Sequence, residues 1–340
     1  MSSKTFRFLS FPFLICLVIM GTMISCKKDP KAKDAEVIEE PPAEEVKVPV
    51  FESDSAYQYV RQQVEFGPRS PNSDAHRKCK DWLVAKLKSF GAEVSEQKFE
   101  AKLYTGVVMN SSNIVASFNP SSKKRVLLAS HWDSRFIADQ DDNPANQKKA
   151  ILGADDGASG VGILLELARA IQGNPLKMGV DIVLFDAEDQ GQDGGGDPLS
   201  WCIGSQHWAK EAKNKGYNAK WGILLDMVGA KNARFPQEGA SMKYAPDVVQ
   251  KVWQLAQGMG FGNYFVNEPA NGITDDHVFV NEIAGVRMID IINLPLGSPK
   301  GFVSHWHTQA DDLTAVDKNT IHAVGQIITA AVYREANGSF

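Results

Sequence analysis

The segment Asp181-Ile-Val-Leu-Phe-Asp-Ala-Glu188-Asp189 places two adjacent carboxylates at the end of an apolar run. Such a run is typical of a strand that is buried on both faces of a parallel sheet. Side chains alternate along a strand, so the carboxylates of Glu188 and Asp189 are expected to point to opposite sides of the chain. One of them can then bind a metal ion while the other transfers protons. The segment therefore predicts a catalytic site at the end of a central strand.

Other apolar runs lie on both sides of this segment and alternate with stretches in which apolar residues have helical spacing. We predict strands at residues 93–99, 112–118, 125–131, 180–185, 221–226 and 286–292. We predict helices at residues 54–66, 73–90, 157–171, 205–214, 246–259 and 317–334. Continuously apolar strands that alternate with helices indicate an α/β fold, a three-layer α/β/α sandwich with a mixed, mainly parallel central sheet.

Acidic and histidine side chains recur where these predicted strands end. His131 is the last residue of one strand, and Asp226 is the last residue of another. A buried carboxylate is costly unless it is paired or coordinates a metal ion. Because α/β folds bind their ligands at the carboxyl ends of parallel strands, we expect these residues to lie near Glu188 and Asp189.

Asp156 lies in the sequence Gly-Ala-Asp155-Asp156-Gly-Ala, just before a predicted helix. An Asp at this position often serves only as a helix N-cap, and that interpretation stays open. The flanking glycines permit the tight backbone that a metal ligand in a turn often needs.

Two later segments add further candidates. Ser-His305-Trp306-His307-Thr contains two histidines in a loop, and Asp275-Asp276-His277 is a compact acidic group. An acidic pair, a distant Asp and a distant His form the ligand set of a hydrolytic zinc site, which needs three protein ligands and one open position. We therefore predict a zinc enzyme.

The composition limits the class of protein. The chain has 340 residues, of which 43% are hydrophobic, and a net charge of −5. No segment combines clustered Lys and Arg with aromatic residues, so a nucleic-acid partner is not expected. The length suits one large α/β domain or two small ones. We place a single catalytic domain at residues 51–340 and expect a monomer.

The first 50 residues have the pattern of an exported, membrane-anchored protein. Lys4 and Arg7 precede an apolar core at residues 8–20, which is too short for a mature membrane-spanning helix. The sequence Met-Ile-Ser-Cys26 then resembles a bacterial lipobox, which implies cleavage of a signal peptide at residues 1–25 and lipidation of Cys26. An uncleaved anchor, or an ordinary signal with a chance Cys, is the alternative.

Residues 26–50 are rich in Lys, Glu, Ala and Pro and predict a flexible tether between the membrane and the catalytic domain. The expected location is the periplasm, with the protein lipid-anchored to a bacterial membrane. Cys79 and Cys202 remain in the mature domain, and the sequence leaves open whether they pair or stay as buried free thiols.

From about residue 51 to residue 335, the order of these motifs resembles the M28 zinc peptidase family. The resemblance implies a phosphorylase/hydrolase-like fold of the zinc aminopeptidase type. In the two-zinc aminopeptidases of that family, the metal ligands would correspond to His131, Asp156, Asp189, Asp226 and His307. Glu188 would be the general base of such an enzyme.

Three segments resemble more closely the glutaminyl cyclase subgroup, in its Bacteroidetes lipoprotein type. They are Leu-Leu-Asp226-Met-Val-Gly-Ala, Asp275-Asp276-His277 and Trp306-His307-Thr. The resemblance implies a glutaminyl-peptide cyclotransferase that converts the N-terminal Gln of peptides or proteins to pyroglutamate and releases ammonia. It also implies one zinc ion per subunit.

By that resemblance, each candidate residue receives a role. The implied zinc ligands are Asp156, Asp189 and His307, and the implied catalytic residues are Glu188, Asp226 and Asp275. The implied substrate-binding residues are Trp306, Trp201 and Phe302.

The chain departs from the animal cyclases in three respects. Those enzymes have Glu in place of Asp189 and His in place of Asp290. Their pocket Trp after the acidic pair has no direct counterpart in the Gly- and Asp-rich residues 190–198, and Trp201 is the nearest substitute.

Two other functions stay open at this point. A two-zinc aminopeptidase would use Glu188 to activate water and would hold a second zinc ion with His131 and Asp226. A lipid-anchored binding protein with a degenerate site is the third interpretation. It is disfavoured because no candidate ligand position has been replaced by an inert residue.

Overall fold

The structure is a computed structural model, and it describes residues 47–298 and 300–340. The predicted signal peptide, the lipidation site Cys26 and residues 26–46 of the predicted tether lie outside the described residues. Among the residues that are described, no helix combines the length and the apolar character needed to cross a membrane.

The sheet contains the strands that the apolar runs predict. In chain order, the strands of the described residues are β1 Glu93–Lys102, β2 Val108–Phe118, β3 Arg125–His131, β4 Gly179–Phe185, β5 Gly222–Asp226, β6 Phe235–Gln237, β7 Phe265–Pro269 and β8 Met288–Ile292. Six of them form the main sheet in the order β1-β2-β4-β3-β5-β8, and β6 pairs with β7 in a small separate sheet. Strands β4, β3, β5 and β8 run parallel, whereas β1 and β2 pair in antiparallel fashion. The prediction of a mixed, mainly parallel sheet is confirmed.

The helices cover both faces of this sheet. In chain order they are α1 Ser53–Glu65, α2 Asp74–Ser89, α3 Ala158–Gly173, α4 Ile203–Asn214, α5 Gly239–Tyr244, α6 Pro246–Gly258, α7 Asp276–Phe279 and α8 Lys318–Asn337. On one face, α1, α2, α3, α6 and α8 pack against alternate strand residues such as Leu128 and Ile182. On the other face, α4 packs against the intervening residues, such as Leu127 and Val183. The three predicted layers are therefore confirmed, because period-two alternation gives each strand one apolar row per face.

Helix α3 lies at the centre of the larger layer and is buried on nearly every side. Its glycines permit close contact with the sheet and with α1. A Cβ atom on Gly160 would overlap the Ser130 hydroxyl and the backbone oxygen of Leu225. A Cβ atom on Gly162 would overlap Val60 of α1. The helix can therefore lie directly on β3 and β5 because Gly160 has no side chain, and it can pack closely on α1 because Gly162 has none.

Both cysteines of the described domain are free and buried. The question left open by the sequence is therefore answered by two buried thiols rather than by a disulfide. Cys79 lies on α2, and Cys202 lies immediately before α4.

Candidate active site and metal centre

The carboxyl edge of the parallel strands carries most of the candidate residues. His131 ends β3 and Asp226 ends β5, while Glu188 and Asp189 follow β4 by a few residues. Asp156 lies two residues before α3 begins, on the same edge. The strands run in one direction, so chain segments that are far apart in sequence bring their carboxylates together.

Four of these residues, Asp156, Glu188, Asp189 and Asp226, line one pocket of about 280 Å³, whereas His131 is not part of its lining. The lining contains every residue to which the cyclase resemblance assigns a catalytic, metal-binding or substrate-binding role. That set comprises Asp156, Glu188, Asp189, Trp201, Asp226, Asp275, Phe302, Trp306 and His307. The prediction of a single site at the strand ends agrees with this geometry.

Asp156, Asp189 and His307 form the group best suited to a metal ion. Their ligand atoms all lie within 4.8 Å of one another. His307 Nε2 is 2.8 Å from Asp189 Oδ1 and 3.7 Å from Asp156 Oδ2. Both Asp156 Oδ2 and Asp189 Oδ2 are buried without a hydrogen-bond partner among the described residues. Unpartnered buried carboxylate oxygens beside an imidazole fit zinc, which takes such oxygen and nitrogen ligands and leaves a position open to the pocket.

Two buried aspartates fix the loops that carry these ligands. Asp133 accepts hydrogen bonds from the backbone N–H groups of Glu188 and Asp189, at 3.2 and 3.3 Å. Asp311 does the same for Asp155 and Asp156, at 2.8 and 3.2 Å. Neither role was predicted, although Asp133 lies close to His131 in sequence. Bonds of this kind orient metal ligands before the metal arrives.

His131 joins two of the candidate carboxylates. Its Nε2 lies 3.0 Å from Asp156 Oδ1 and 3.2 Å from Asp226 Oδ1. Burial opposes protonation of this ring, but hydrogen bonds to Asp133, Asp156 and Asp226 raise the pKa of His131 well above its ordinary value. A proton on His131 therefore neutralises part of the charge of the acidic group. His131, Asp156 and Asp226 also have the spacing of a second group that could hold a metal ion.

Glu188 is held between two partners at the floor of the pocket. The Cys202 thiol donates to Glu188 Oε1 at 3.1 Å, and His131 Nδ1 lies 4.0 Å from Oε2. Burial raises the pKa of Glu188 well above its ordinary value, and the nearby Asp189 and Asp275 carboxylates raise it further. A carboxyl group with such a pKa can both accept and return a proton near neutral pH.

Cys202 was not predicted to take part in the site. Burial raises the pKa of this thiol well above its ordinary value, so it remains a protonated donor. Nothing in the sequence connects it to Glu188, because the contact depends on the left-handed backbone of Cys202, where φ is 53°.

Asp226, Asp275 and Asp290 form a buried acidic group behind Glu188. Burial raises the pKa of Asp226 to about 8. Burial, together with the nearby Asp275 and Asp226 carboxylates, also raises the pKa of Asp290 well above its ordinary value. Asp290 lies on β8, and its Oδ2 is 3.9 Å from His277 Nδ1. The raised pKa values of Asp226 and Asp290 favour their protonated forms, which lowers the charge repulsion within this group.

Aromatic rings form the walls of the pocket. Trp306 stacks on His307 with ring centroids 3.8 Å apart, and Phe302 stacks on Trp306 at 4.5 Å. Trp201 lies parallel to His307 at 5.9 Å. The pocket is thus a slot with aromatic walls, with the candidate metal group Asp156–Asp189–His307 and Glu188 at its base, and such a slot suits a flat side chain.

The sequence and the fold of the chain are similar to those of known proteins. The model of peptidase family M28 matches residues 113–332. A glutaminyl-peptide cyclotransferase of Boiga irregularis is 27% identical over 305 residues, which cover 81% of this chain and 78% of the relative.

Solved structures are more similar. The glutaminyl cyclase of Porphyromonas gingivalis is 48% identical with a TM-score of 0.82, and the alignment covers 84% of this chain and 99% of that one. The glutaminyl cyclase of Bacteroides thetaiotaomicron, solved with N-acetylhistamine, is 45% identical at the same coverage, with a TM-score of 0.81. A Zn-dependent exopeptidase of Parabacteroides distasonis is 46% identical at that coverage, with a TM-score of 0.83. The fold, the acidic strand ends and the family match lead to one conclusion: the chain belongs to peptidase family M28.

Proposed function

We propose that this chain is a zinc-dependent glutaminyl-peptide cyclotransferase, an acyltransferase that converts the N-terminal Gln of peptides and proteins to pyroglutamate. The observation that carries the proposal is the aromatic slot with the Asp156–Asp189–His307 group and Glu188 at its base. The similarity to bacterial glutaminyl cyclases at 45–48% identity supports it.

The reaction needs no water. The α-amine of the N-terminal Gln attacks the carbon of its own γ-carboxamide, a five-membered lactam forms, and the amide nitrogen leaves as ammonia. Asp156, Asp189 and His307 would hold the zinc ion, which supplies Lewis-acid polarisation of the carboxamide oxygen when it is bound.

Glu188 carries the proton between the two nitrogen atoms. It takes a proton from the attacking α-amine and gives one to the departing nitrogen, so its protonation state is restored after each turnover. Burial raises the pKa of Glu188, as this role requires. Its hydrogen bond with Cys202 fixes Oε1, which leaves Oε2 as the oxygen that exchanges protons.

The other pocket residues bind and orient the substrate. Asp226 and Asp275 lie beside Glu188 and are placed to hold the α-amine or to share its proton. Trp306, Phe302 and Trp201 contact the flat carboxamide side chain and exclude water, which favours intramolecular attack over hydrolysis. We also propose that the enzyme acts as a monomer.

Peptides that differ only at the first residue test the function. With Gln-Phe-Ala, we expect a product lighter by one ammonia, and with Leu-Phe-Ala we expect no product, as read by mass spectrometry. The reason is that only Gln carries a carboxamide within reach of its own α-amine. Release of free Leu or free Gln at a comparable rate would contradict the proposal and favour an M28 aminopeptidase.

We also propose that the enzyme is a periplasmic lipoprotein, anchored through Cys26 by a tether of residues 26–50. The support is the sequence pattern of residues 1–26. Cys26→Ser should move the protein from the membrane fraction to the soluble fraction of the cell envelope. Cys16→Ser, within the signal peptide, is the matched control and should leave the protein in the membrane fraction. Equal fractionation of both variants with the native protein would contradict lipidation at Cys26.

A further inference from the structure

We infer that Arg135 is a positioning residue that keeps two metal ligands, Asp189 and His307, and the pocket wall at Trp201 in fixed relation to one another. The inference rests on the proposed function, because it concerns the same site. Nothing in the sequence pattern points to Arg135, which follows β3 and lies outside the lining of the pocket.

The guanidinium of Arg135 is fully buried, and its hydrogen bonds converge on the metal site. It donates to both oxygens of Asp139, from Nε at 2.8 Å and from Nη2 at 2.6 Å. It also donates to the backbone oxygen of Asp189 at 3.0 Å and to that of Gly191 at 3.2 Å. Nη1 lies 3.7 Å from Asp189 Oδ1. Arg135 therefore fixes the backbone on both sides of residue 190 and faces the Asp189 carboxylate.

Asp139 extends the contact to the second metal ligand. Its Oδ1 lies 3.5 Å from His307 Nδ1, the ring nitrogen opposite the one that faces Asp189. Metal-binding imidazoles usually direct their other nitrogen toward a carboxylate or a carbonyl, which sets the orientation of the ring. The bidentate bond with Arg135 holds Asp139 in the position that this requires.

The same guanidinium also supports the pocket wall. Its central carbon lies 4.7 Å from the ring centroid of Trp201, within the range of a cation–π contact. Gly191, whose carbonyl Arg135 binds, packs so closely on the Trp201 indole that a Cβ atom there would overlap the ring. Arg135 thus contacts the backbone of Asp189, the Asp139 carboxylate that faces His307, and the Trp201 ring of the pocket wall.

Lysine cannot replace this set of contacts. An ammonium group supplies one compact charge, whereas the planar guanidinium makes a bidentate bond, additional backbone bonds and a stacked contact at the same time. Arg135→Lys therefore keeps the positive charge but removes the bidentate bond to Asp139 and the stacked contact with Trp201. It is the variant that tests the inference most directly. Arg135→Met removes the charge as well.

The matched control is Arg125→Lys. Arg125 also makes a bidentate pair with an Asp, donating to Asp181 at 2.5 and 3.1 Å, and its side chain is largely buried. It lies at the first residue of β3, at the end of the sheet opposite the pocket. Substitution there tests the general effect of losing such a pair, without touching the site.

Zinc retention is measured first, without substrate, as the rate at which a chromophoric chelator removes zinc from each purified protein. We expect Arg135→Lys to release zinc roughly 10- to 100-fold faster than the native protein, and Arg125→Lys to be unchanged. We also expect kcat/KM for Gln-Phe-Ala to fall by a similar factor in Arg135→Lys. Melting curves and circular dichroism establish that each variant is folded.

A folded Arg135→Lys protein with zinc release and kcat/KM within about twofold of the native values would overturn the inference. If Arg135→Met fails to fold, Arg135→Lys still provides this test. The zinc measurement does not depend on the reaction, so it remains valid if the protein is not a cyclase.

Asp139→Asn provides a second readout. It keeps the shape of the side chain but removes the charge that faces His307. Because Arg135 acts on His307 through Asp139, the combined variant Arg135→Lys/Asp139→Asn should release zinc less rapidly than the product of the two single effects predicts. Strictly multiplicative effects would show that the two residues act independently and would overturn the link through Asp139.

Discussion

Glu188→Gln is expected to retain its zinc and its fold while losing roughly a hundred- to ten-thousand-fold in kcat. The amide has nearly the shape of the carboxylate, so packing in the pocket is preserved. It cannot accept the proton of the α-amine, so the attacking nitrogen stays cationic and the departing nitrogen is not protonated. The measurements are ammonia release from Gln-Phe-Ala and metal analysis of the purified variant.

Glu166→Gln is the matched control for this substitution. Glu166 is a buried Glu on α3 that pairs with Arg169, and it does not line the pocket. Any loss of stability from converting a buried Glu to Gln should therefore appear in this variant, whereas the loss of kcat should not. If Glu188→Gln instead loses its zinc, then Glu188 is a metal ligand, and the roles assigned to Glu188 and Asp189 are reversed.

His307→Ala is expected to lose most of its zinc and to lose turnover by roughly a thousandfold or more. The variant removes one of three protein ligands, and the metal supplies several kcal/mol of transition-state stabilisation. His131→Ala should keep one equivalent of zinc and measurable turnover, because in a one-zinc site His131 contacts carboxylates such as those of Asp156 and Asp226 and does not bind the metal. Metal analysis by mass spectrometry gives the stoichiometry.

His322→Ala is the control for this pair, since His322 lies on α8 and is not part of the pocket lining. It should keep both zinc and activity. Two equivalents of zinc in the native protein, together with an inactive His131→Ala, would contradict the one-zinc proposal. That result would favour the two-zinc aminopeptidase of the same family.

The site residues at the strand ends could be predicted because the signals for them lie in consecutive residues of the sequence. A continuously apolar run identifies a buried strand, and a charged residue at its end must be paired or must bind something. This reasoning found His131, Glu188, Asp189 and Asp226. The family resemblance, rather than any local pattern, selected His307 and Trp306.

The residues that support the site could not be predicted in the same way. Asp311 contacts Asp155 and Asp156 from more than 150 positions away, and Cys202 reaches Glu188 through an unusual backbone angle. Such contacts depend on how loops meet in space, and no period in the sequence encodes them.

Several short elements were also absent from the predictions. β6 spans only three residues and contains a Pro, so it shows no alternation, and α7 is a single helical turn. The small β6–β7 sheet and α5 were not predicted, whereas the long elements were. The observed ends of the long elements differ from the predicted ends by a few residues; β2, for example, begins at Val108 and was predicted to begin at residue 112.

The close contact of α3 with the sheet limits how the enzyme can be redesigned. Gly160 touches the residues that immediately precede His131 and Asp226, and Asp156 lies just ahead of the same helix. The missing side chain therefore sets the distance between the layer that carries one metal ligand and the strands that carry the proton network. Engineers who want to accept bulkier substrates cannot widen the slot by spreading these layers. They must work instead on the loops around Trp201 and Phe302, which lie outside this contact between helix and sheet, and must keep the Arg135 contacts that join Trp201 to the metal ligands.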